Sequence, residues 1–296
     1  MKFFKQWSDR FGLAASSKLI FATIFCFSAI VAYAVASELF TTTLFSDANL
    51  ISYYRMEGNS NDARGSNDGS DIDVSYGSRY GKFNQGASFN GISSYITKNN
   101  PIGLPIGNGD ITITGWIYFT ANQSSGISGY VSWGAESSNQ MAGLGFGPPG
   151  PNGLFWLGYI NDASVSWSYA TGTWYMVSAT YTASSKQVQF YTNGSAQGSA
   201  VTLSNTPNVG SVFLNIGKQR PGNGIYLEGY ADDVAIFSRV LSANEILDLY
   251  IGTLPKTLVR INDLTTNGAG KSGKVPPGLL IAPGIENKLS TATISL

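Results

Sequence analysis

The sequence predicts an all-β protein, and three observations support this. Aromatic residues make up 13% of the chain and Gly 35 of 296 residues, whereas charged residues make up only 12%, about half of the ~25% usual in globular domains. Strand-like runs recur between clusters of Gly, Asn, Asp or Pro. One run ends in Asn193-Gly194, the dipeptide that tight hairpins prefer because both positions tolerate positive φ. This combination is typical of a β-sandwich or barrel.

The segment Ile111–Phe119 is the clearest predicted strand, and its two-residue period suits a central position in a sheet. One face of it would carry Ile111, Ile113, Ile117 and Phe119. Trp174–Tyr181 and Gln187–Thr192 are predicted as further strands, and Ser195–Ala200 would return antiparallel after the Asn193-Gly194 turn.

One helix is predicted in the outer part of the chain, over Ser242–Tyr250. Ser242 can cap it, and Glu245 at the third helical position can complete a capping box. Its apolar face would carry Ile246, Leu249 and Tyr250.

Residues 1–40 are predicted to carry a targeting signal rather than a buried core helix. Four basic residues precede an uncharged run from Leu19 to Ser37, namely Lys2, Lys5, Arg10 and Lys18. The run is long enough to span a bilayer as a helix, which takes ~17 to 25 residues, and the basic side is expected to stay in the cytoplasm. Ala34-Val-Ala36 also suits a signal peptidase. An uncleaved signal anchor and a cleaved signal peptide both remain open, and either exports the remainder.

Composition divides the rest of the chain into three parts. Residues 41–49 are a polar linker, residues 50–252 hold the predicted strands, and residues 253–296 contain the linker-like Lys271-Ser-Gly-Lys-Val-Pro-Pro-Gly. We expect this last part to be a flexible C-terminal tail or a truncated second module.

Charge and composition exclude several functions. Lys+Arg and Asp+Glu are both 18, so no basic field attracts nucleic acid. Histidine is absent, which removes the commonest general base and transition-metal ligand. The single cysteine, Cys26, lies in the apolar run, so the outer part cannot form an internal disulfide.

Three motifs follow one another in a characteristic order. Tyr53-Tyr-Arg-Met-Glu-Gly-Asn-Ser-Asn-Asp62 runs from a strand into an Asn/Asp/Gly-rich loop, Gly81-Lys-Phe-Asn-Gln-Gly-Ala-Ser-Phe-Asn-Gly91 follows, and Ala231-Asp-Asp-Val234 precedes Leu241-Ser-Ala-Asn-Glu-Ile246. Trp116 and Trp174 mark strands between them. This set resembles the laminin-G-like domains of the concanavalin-A-like lectin/glucanase superfamily. The resemblance implies an antiparallel β-sandwich of the jelly-roll type on an exported protein, and binding rather than catalysis.

A metal site is one reading of the carboxylates. The two-residue period puts Asp232 on the same buried face as Val234 and Ile236, and a buried carboxylate needs a partner or a cation. Oxygens of Asp62 and Asn59 could complete a Ca²⁺ site, and the resemblance also implies a structural calcium. The alternative is that Asp232 accepts backbone N–H groups and Asp62 forms an Asx turn.

A carbohydrate site is predicted from the aromatic residues in the Gly- and Ser-rich middle of the domain, because sugar rings are held by aromatic faces combined with a few polar groups. The candidates are Trp133, Trp156, Tyr159, Trp167 and Tyr169. The alternative for each is core packing, since large aromatics are highly buried on average. Gly143–Gly153 is expected to be a long loop beside the ligand cleft.

An enzyme is the less favoured reading. Glycoside hydrolysis needs two carboxyl groups across a cleft, roughly 5 to 9.5 Å apart, and the glucanases of this superfamily carry Glu-x-Asp-x-x-Glu on one strand. The acidic clusters here, Glu228 with Asp232 and Asp233, and Asp68 with Asp71 and Asp73, lack that spacing. We therefore predict an exported, membrane-tethered module that binds carbohydrate or a surface protein, with a structural or adhesive envelope protein as the alternative.

Overall fold

The structure is a computed structural model that describes residues 43–123, 126–148, 153–222 and 224–252. These ranges belong to one compact unit, Ala36–Leu254. The predictions for residues 1–40, including the run from Leu19 to Ser37, and for residues 253–296 lie outside them. Within the described ranges no helix has both the length and the apolar character that crossing a membrane requires.

Fifteen strands in these ranges build the fold, with two short 3-10 helices at Thr43–Ser46 and Ser78–Tyr80 and a final helix α1 at Ala243–Gly252. The strands are β1 (Leu50–Tyr54), β2 (Ser70–Ile72), β3 (Ser75–Gly77), β4 (Gly86–Asn90), β5 (Tyr95–Asn99), β6 (Ile111–Phe119), β7 (Ser128–Gly134), β8 (Met141–Gly147), β9 (Gly153–Trp156), β10 (Ala163–Ser166), β11 (Trp174–Thr182), β12 (Gln187–Thr192), β13 (Ser195–Thr202), β14 (Phe213–Ile216) and β15 (Glu228–Phe237).

The strands form two antiparallel sheets. The eight-stranded sheet has the order β13-β12-β11-β6-β15-β4-β3, with β1 also paired to β15, and the seven-stranded sheet has the order β10-β9-β8-β7-β14-β5-β2. Strands distant in sequence lie side by side, as when the last strand β15 pairs with β1, β4 and β6. The predicted β-sandwich is confirmed, and the topology is consistent with a jelly roll.

The main core lies between the sheets. Ile113, Ile117 and Phe119 of β6 are completely buried there, on the face that the alternation predicted. Gly115 shares this face because a Cβ there would lie 2.4 Å from the Tyr130 hydroxyl. That hydroxyl donates to the Trp116 carbonyl across the sandwich at 2.9 Å.

A second apolar cluster lies on the outer face of the eight-stranded sheet, where α1 covers Trp116 and Phe83 with Ile246 and Leu249. The predicted capping box is present. The Ser242 backbone N–H donates to Glu245 at 2.8 Å, and the Glu245 N–H donates to the Ser242 hydroxyl at 3.3 Å.

One arginine joins the start of the domain to its end. Arg239 forms ion pairs with Asp47 at 2.6 Å and with Glu245 at 2.5 Å. The first turn of α1 is therefore connected to the residues that lead into β1.

The Asn193-Gly194 turn is confirmed. Both residues have positive φ, 49° and 79°, and the flanking Thr192 and Ser195 pair directly. Gly194 also faces α1, since a Cβ there would lie 2.9 Å from Cδ1 of Leu247.

The loop predicted over Gly143–Gly153 is wrong in its first half, because Met141–Gly147 is the fully buried strand β8. Ala142, Leu144 and Phe146 enter the main core and alternate with glycines. The glycine content drew attention away from a regular two-residue period.

Candidate ligand-binding site

Four of the five aromatic residues predicted to bind a ligand are packing residues instead. Trp133 and Trp156 are completely buried, and Trp167 and Tyr169 are 8% and 9% exposed, all within the main core. The indole N–H of Trp133 donates a hydrogen bond to the Pro105 carbonyl at 2.9 Å. Their faces are covered by other side chains, so the alternative of core packing describes them.

Tyr159 differs from these four because it lies half-buried in the loop between β9 and β10. Tyr159 and Ile160 both have positive φ, 52° and 66°, which is unusual for any residue with a side chain and an outlier for β-branched Ile. Hydrogen bonds fix the loop: among them, Gly158 N–H donates to Asp162 Oδ1 at 2.7 Å, and Asn139 N–H donates to the Tyr159 carbonyl at 3.0 Å. Strain of this kind concentrates at binding and active sites.

This loop forms one wall of a pocket of about 300 Å³. The floor is apolar, one wall comes from the β9–β10 loop, and the other comes from the chain after β14. The lining residues are Met141 and Leu157 in the floor, Tyr159, Ile160 and Asp162 in the first wall, and Gln219 and Arg220 in the second.

Glycines on the outer face of the seven-stranded sheet make room for the floor and the second wall of the pocket. A Cβ at Gly145 would lie 3.1 Å from Leu157, and one at Gly129 would lie 2.3 Å from the Gln219 backbone. The chain after β14 therefore packs directly on β7, which places Gln219 and Arg220 beside Tyr159.

Arg220 is the cation of the pocket. Its guanidinium lies 5.4 Å from the centre of the Tyr159 ring, and its Nε is 3.4 Å from Glu136 Oε1. That approach does not have the geometry of a hydrogen bond, and the buried Nε–H has no other hydrogen-bond partner in the described residues. Glu136 instead accepts the Gly222 N–H at 3.0 Å. The Arg220 side chain as a whole is 30% exposed and lines the pocket, and the nearby carboxylates of Glu136 and Asp162 offset its positive charge.

The sequence did not identify Gln219 and Arg220. They follow the short strand β14 without any pattern that sets them apart, and only the packing of their backbone on Gly129 brings them to the pocket.

Each of the three predicted metal ligands accepts hydrogen bonds from backbone N–H groups. Asp62 Oδ1 accepts the N–H groups of Tyr53, Arg64 and Gly65 at 2.9 to 3.1 Å, and Oδ2 accepts that of Asn67 at 3.1 Å.

The side-chain oxygen of Asn59 accepts the Asn61 N–H at 2.9 Å. In the described residues no group of three or more acidic, His or Cys side chains is arranged to hold a metal ion. The arrangement of Asp62 matches the hydrogen-bonding alternative.

Asp232 is buried, as predicted, but not on the predicted face. A bulge follows it, where Asp233 has a φ of 51°, and shifts the register between Asp232 and Ala235. Val234 therefore points into the main core while Asp232 pairs with Trp116. The regular alternation assumed from the sequence does not hold through a bulge.

The Asp232 carboxyl is held under the Gly81–Gln85 turn. Its Oδ2 accepts the N–H groups of Lys82 and Phe83 at 2.8 and 2.9 Å, whereas its buried Oδ1 has no hydrogen-bond partner among the residues that the structure describes. Burial, followed by the charge of Asp233, raises the pKa of Asp232 well above its ordinary value.

The domain is a two-sheet antiparallel β-sandwich with a strained loop over a partly apolar pocket. A laminin G family model described as "Concanavalin A-like lectin/glucanases superfamily" matches residues 89–247, more than half of the 296 residues. The chain belongs to this superfamily. No curated protein matches the sequence.

Solved structures share the fold. Domain 4 of AbnA, a GH43 extracellular arabinanase from Geobacillus stearothermophilus in complex with arabinotriose, matches with a TM-score of 0.57 and 19% identity over 68% of this chain and 98% of that one. Trypanosoma rangeli sialidase matches with a TM-score of 0.51 and 18% identity over 69% of this chain and 32% of that one. The binding domain of botulinum neurotoxin serotype G matches with a TM-score of 0.51 and 16% identity over 68% and 50%.

At these identities the likeness shows the fold alone. This chain spans about a third of the sialidase and half of the toxin domain. The neighbours nevertheless show that the fold is shared by binding domains and by proteins related to glycoside hydrolases.

Proposed function

We propose that this protein is a carbohydrate-binding module whose site is the pocket around Tyr159. The observation that carries the proposal is the strained Tyr159–Ile160 pair, which places an aromatic side chain beside the partly exposed Arg220 guanidinium above an apolar floor. A sugar offers the same combination, with apolar C–H groups on a ring face and hydroxyl groups around its edge.

Each side chain has a role in this proposal. The Tyr159 ring covers the apolar face of one sugar unit, Arg220 donates to a hydroxyl or ring oxygen, and Asp162 accepts from a hydroxyl. Because Glu136 and Asp162 offset Arg220, a neutral sugar suits the pocket better than an acidic one.

Binding fits the carboxyl groups better than hydrolysis does. A glycosidase needs a general acid whose raised pKa keeps it protonated where the substrate lies. The described carboxyl with a strongly raised pKa is Asp232, which is completely buried beneath the Gly81–Gln85 turn. A substrate in the Tyr159 pocket would not reach it.

The likeness to a domain solved with a bound oligosaccharide supports carbohydrate as the ligand class. The match extends over 98% of domain 4 of the arabinanase, and that domain was solved in complex with arabinotriose. Arabinotriose is therefore a sensible first probe.

A contact surface for another protein is the second candidate, corresponding to a structural or adhesive envelope protein. Three large apolar side chains are exposed on two segments that hydrogen-bond to each other, Ile102, Ile106 and Val212 at 57% to 68%. The segments are joined by Asn100 N–H to the Val212 carbonyl at 2.9 Å. Exposed apolar groups of this kind occur at protein interfaces.

We also propose that the domain is exported and tethered through the run from Leu19 to Ser37. The support is the charge asymmetry of the first residues. Protease added to intact cells should digest the part from Leu50 onward, whereas its survival beside a cleaved external marker would contradict export.

The binding proposal is tested with the full-length protein on a glycan array and by calorimetry with arabinotriose. Tyr159→Ala and Arg220→Ala should each weaken binding at least tenfold at unchanged melting temperature. Arg64→Ala changes an exposed arginine outside the pocket and should bind like wild type. Absence of any glycan binding, or pocket variants that bind like wild type, would overturn the proposal.

A further inference from the structure

A row of aromatic side chains crosses the outer face of the eight-stranded sheet, on the opposite side of the sandwich from the Tyr159 pocket. Trp174 of β11, Tyr118 of β6 and Tyr230 of β15 are direct cross-strand partners. Their ring centres are 5.6 Å apart between Trp174 and Tyr118 and 5.1 Å apart between Tyr118 and Tyr230, the latter pair nearly parallel at 12°.

The row points away from the main core. Ile117, Phe119 and Ala231, the sequence neighbours of Tyr118 and Tyr230, are completely buried between the sheets. Successive side chains in a strand point to opposite faces, so both tyrosines face outward. Trp174, Tyr118 and Tyr230 are each half-buried.

The row continues past the sheet strands. Tyr80, in the 3-10 helix Ser78–Tyr80, lies 4.9 Å from Tyr230, and the guanidinium of Arg79 lies 4.4 Å from the centre of the Tyr80 ring. Four half-exposed rings therefore form one line perpendicular to the strands, and a cation ends it.

Sheet stability alone accounts for the ring contacts, since cross-strand aromatic pairs contribute about 0.5–1 kcal/mol each. It does not account for the polar ends of the rings. Buried tyrosines of this domain, such as Tyr54 and Tyr130, donate hydrogen bonds from their hydroxyls to backbone carbonyls.

The hydroxyls of Tyr80, Tyr118 and Tyr230 and the indole N–H of Trp174 make no hydrogen bond within the described residues. Because Tyr118 and Tyr230 stack on each other and Arg79 lies over the Tyr80 ring, the line presents ring edges together with these four hydrogen-bonding groups.

We propose that this line is a second binding site, which takes a linear neutral polysaccharide laid across the strands. The ring spacings of 4.9 to 5.6 Å are close to the length of one sugar unit, so successive units meet successive rings. The four ring residues carry no charge, which favours a neutral chain over a polyanion. An apolar protein helix would leave the free hydroxyls and the indole N–H without partners.

The two sites differ in the ligand length that each requires. The Tyr159 pocket has room for a short sugar, so its affinity should be nearly complete with a trisaccharide. The aromatic row spans four rings, so its affinity should rise from the trisaccharide to the hexasaccharide. The second site does not depend on the first, because none of its residues lines the pocket.

The test is affinity electrophoresis of the full-length protein in gels containing arabinan, xylan, β-glucan or dextran, with oligosaccharides of increasing length as competitors. We expect retardation by at least one polymer. Trp174→Ala and Tyr230→Ala should weaken it at least tenfold, and Tyr230→Phe, which keeps the ring and removes the hydroxyl, should weaken it severalfold at unchanged melting temperature.

The pocket variant Arg220→Ala separates the two proposals, because it should lose the trisaccharide and keep polymer retardation. If no polymer retards the wild type, or if Trp174→Ala and Tyr230→Phe are retarded like the wild type, the second site is overturned. Loss of retardation in Arg220→Ala alone would assign polymer binding to the pocket.

Discussion

Replacement of Asp232 by Asn should leave the stability of the domain nearly unchanged at acid pH and raise it at alkaline pH. Asn keeps the shape of the carboxyl and the acceptor for the Lys82 and Phe83 N–H groups, but it removes the buried charge beside Asp233. Glu57 also faces this carboxyl and adds to the raised pKa.

The sign follows from the direction of the shift. The folded-state pKa of Asp232 lies above its unfolded value of about 3.9, so the folded protein binds more protons between the two values. Stability from this group is fully present below about pH 3.9 and is lost as pH rises through the folded pKa. Each unit by which the pKa is raised corresponds to about 1.4 kcal/mol of that loss.

At pH 4 the protonated acid and the Asn amide are nearly isosteric, and each places a hydrogen-bond donor at the unpartnered Oδ1 position or near it. The two proteins should then differ by less than about 1 kcal/mol. At pH 8 Asp232→Asn should be the more stable protein, and each kcal/mol should raise the melting temperature by about 2–4 °C in a domain of this size.

The measurement is thermal denaturation of the full-length protein from pH 4 to pH 8, followed by near-ultraviolet circular dichroism. Asp73→Asn is the matched control, because Asp73 is exposed and its φ of 50° suits Asn equally well. A difference between wild type and Asp232→Asn that stays constant over this range would refute the reasoning.

Three further predictions concern packing, hydrogen bonding and the helix cap. Gly194→Ala should lower the free energy of unfolding by about 1–3 kcal/mol, because it adds backbone strain and a close contact with Leu247 of the helix. The control Gly107→Ala, at a φ of +63° with open space around it, should lower it by less. Equal losses of the two variants in chemical denaturation would exclude the helix contact. Asp62→Asn should destabilise the fold by on the order of 3 kcal/mol to the same extent in chelator and in millimolar calcium, and a loss confined to calcium would restore the metal site. Glu245→Gln should lower the free energy of unfolding by about 1 kcal/mol or less at pH 7, since Arg239 holds the pKa of Glu245 at about 2 at a partly exposed position. The difference in stability from wild type should disappear as pH falls from 4 towards 2. A difference that persists there would exclude the ion pair as its cause.

The sequence predicted those parts of the fold that depend on local patterns. The β6 face, the Asn193-Gly194 turn and the capping box at Ser242 each follow from residues a few positions apart, and all three are confirmed. The misplaced Asp232 shows the limit, because a one-residue bulge leaves no mark in a two-residue pattern.

The candidate sites were harder to predict because they depend on contacts between distant segments. Arg220 reaches Tyr159 only because Gly129 lets another loop lie on β7. The pairing of Tyr118 with Tyr230 depends on the strand order, which brings residues distant in sequence side by side. Burial of the four aromatic residues named from the sequence reflects the same limit, since composition does not say which face of a strand is covered.

The position of Arg239 has a mechanical consequence. β1 and β15 are antiparallel, and Leu50, where β1 begins, lies opposite Phe237, where β15 ends. Tension applied between residues 47 and 252 would therefore open this pair from one end, one hydrogen bond at a time, rather than shearing all of its bonds together. The Arg239 ion pairs to Asp47 and Glu245 lie at that end, so they would bear the load first and set the force at which the domain begins to unravel.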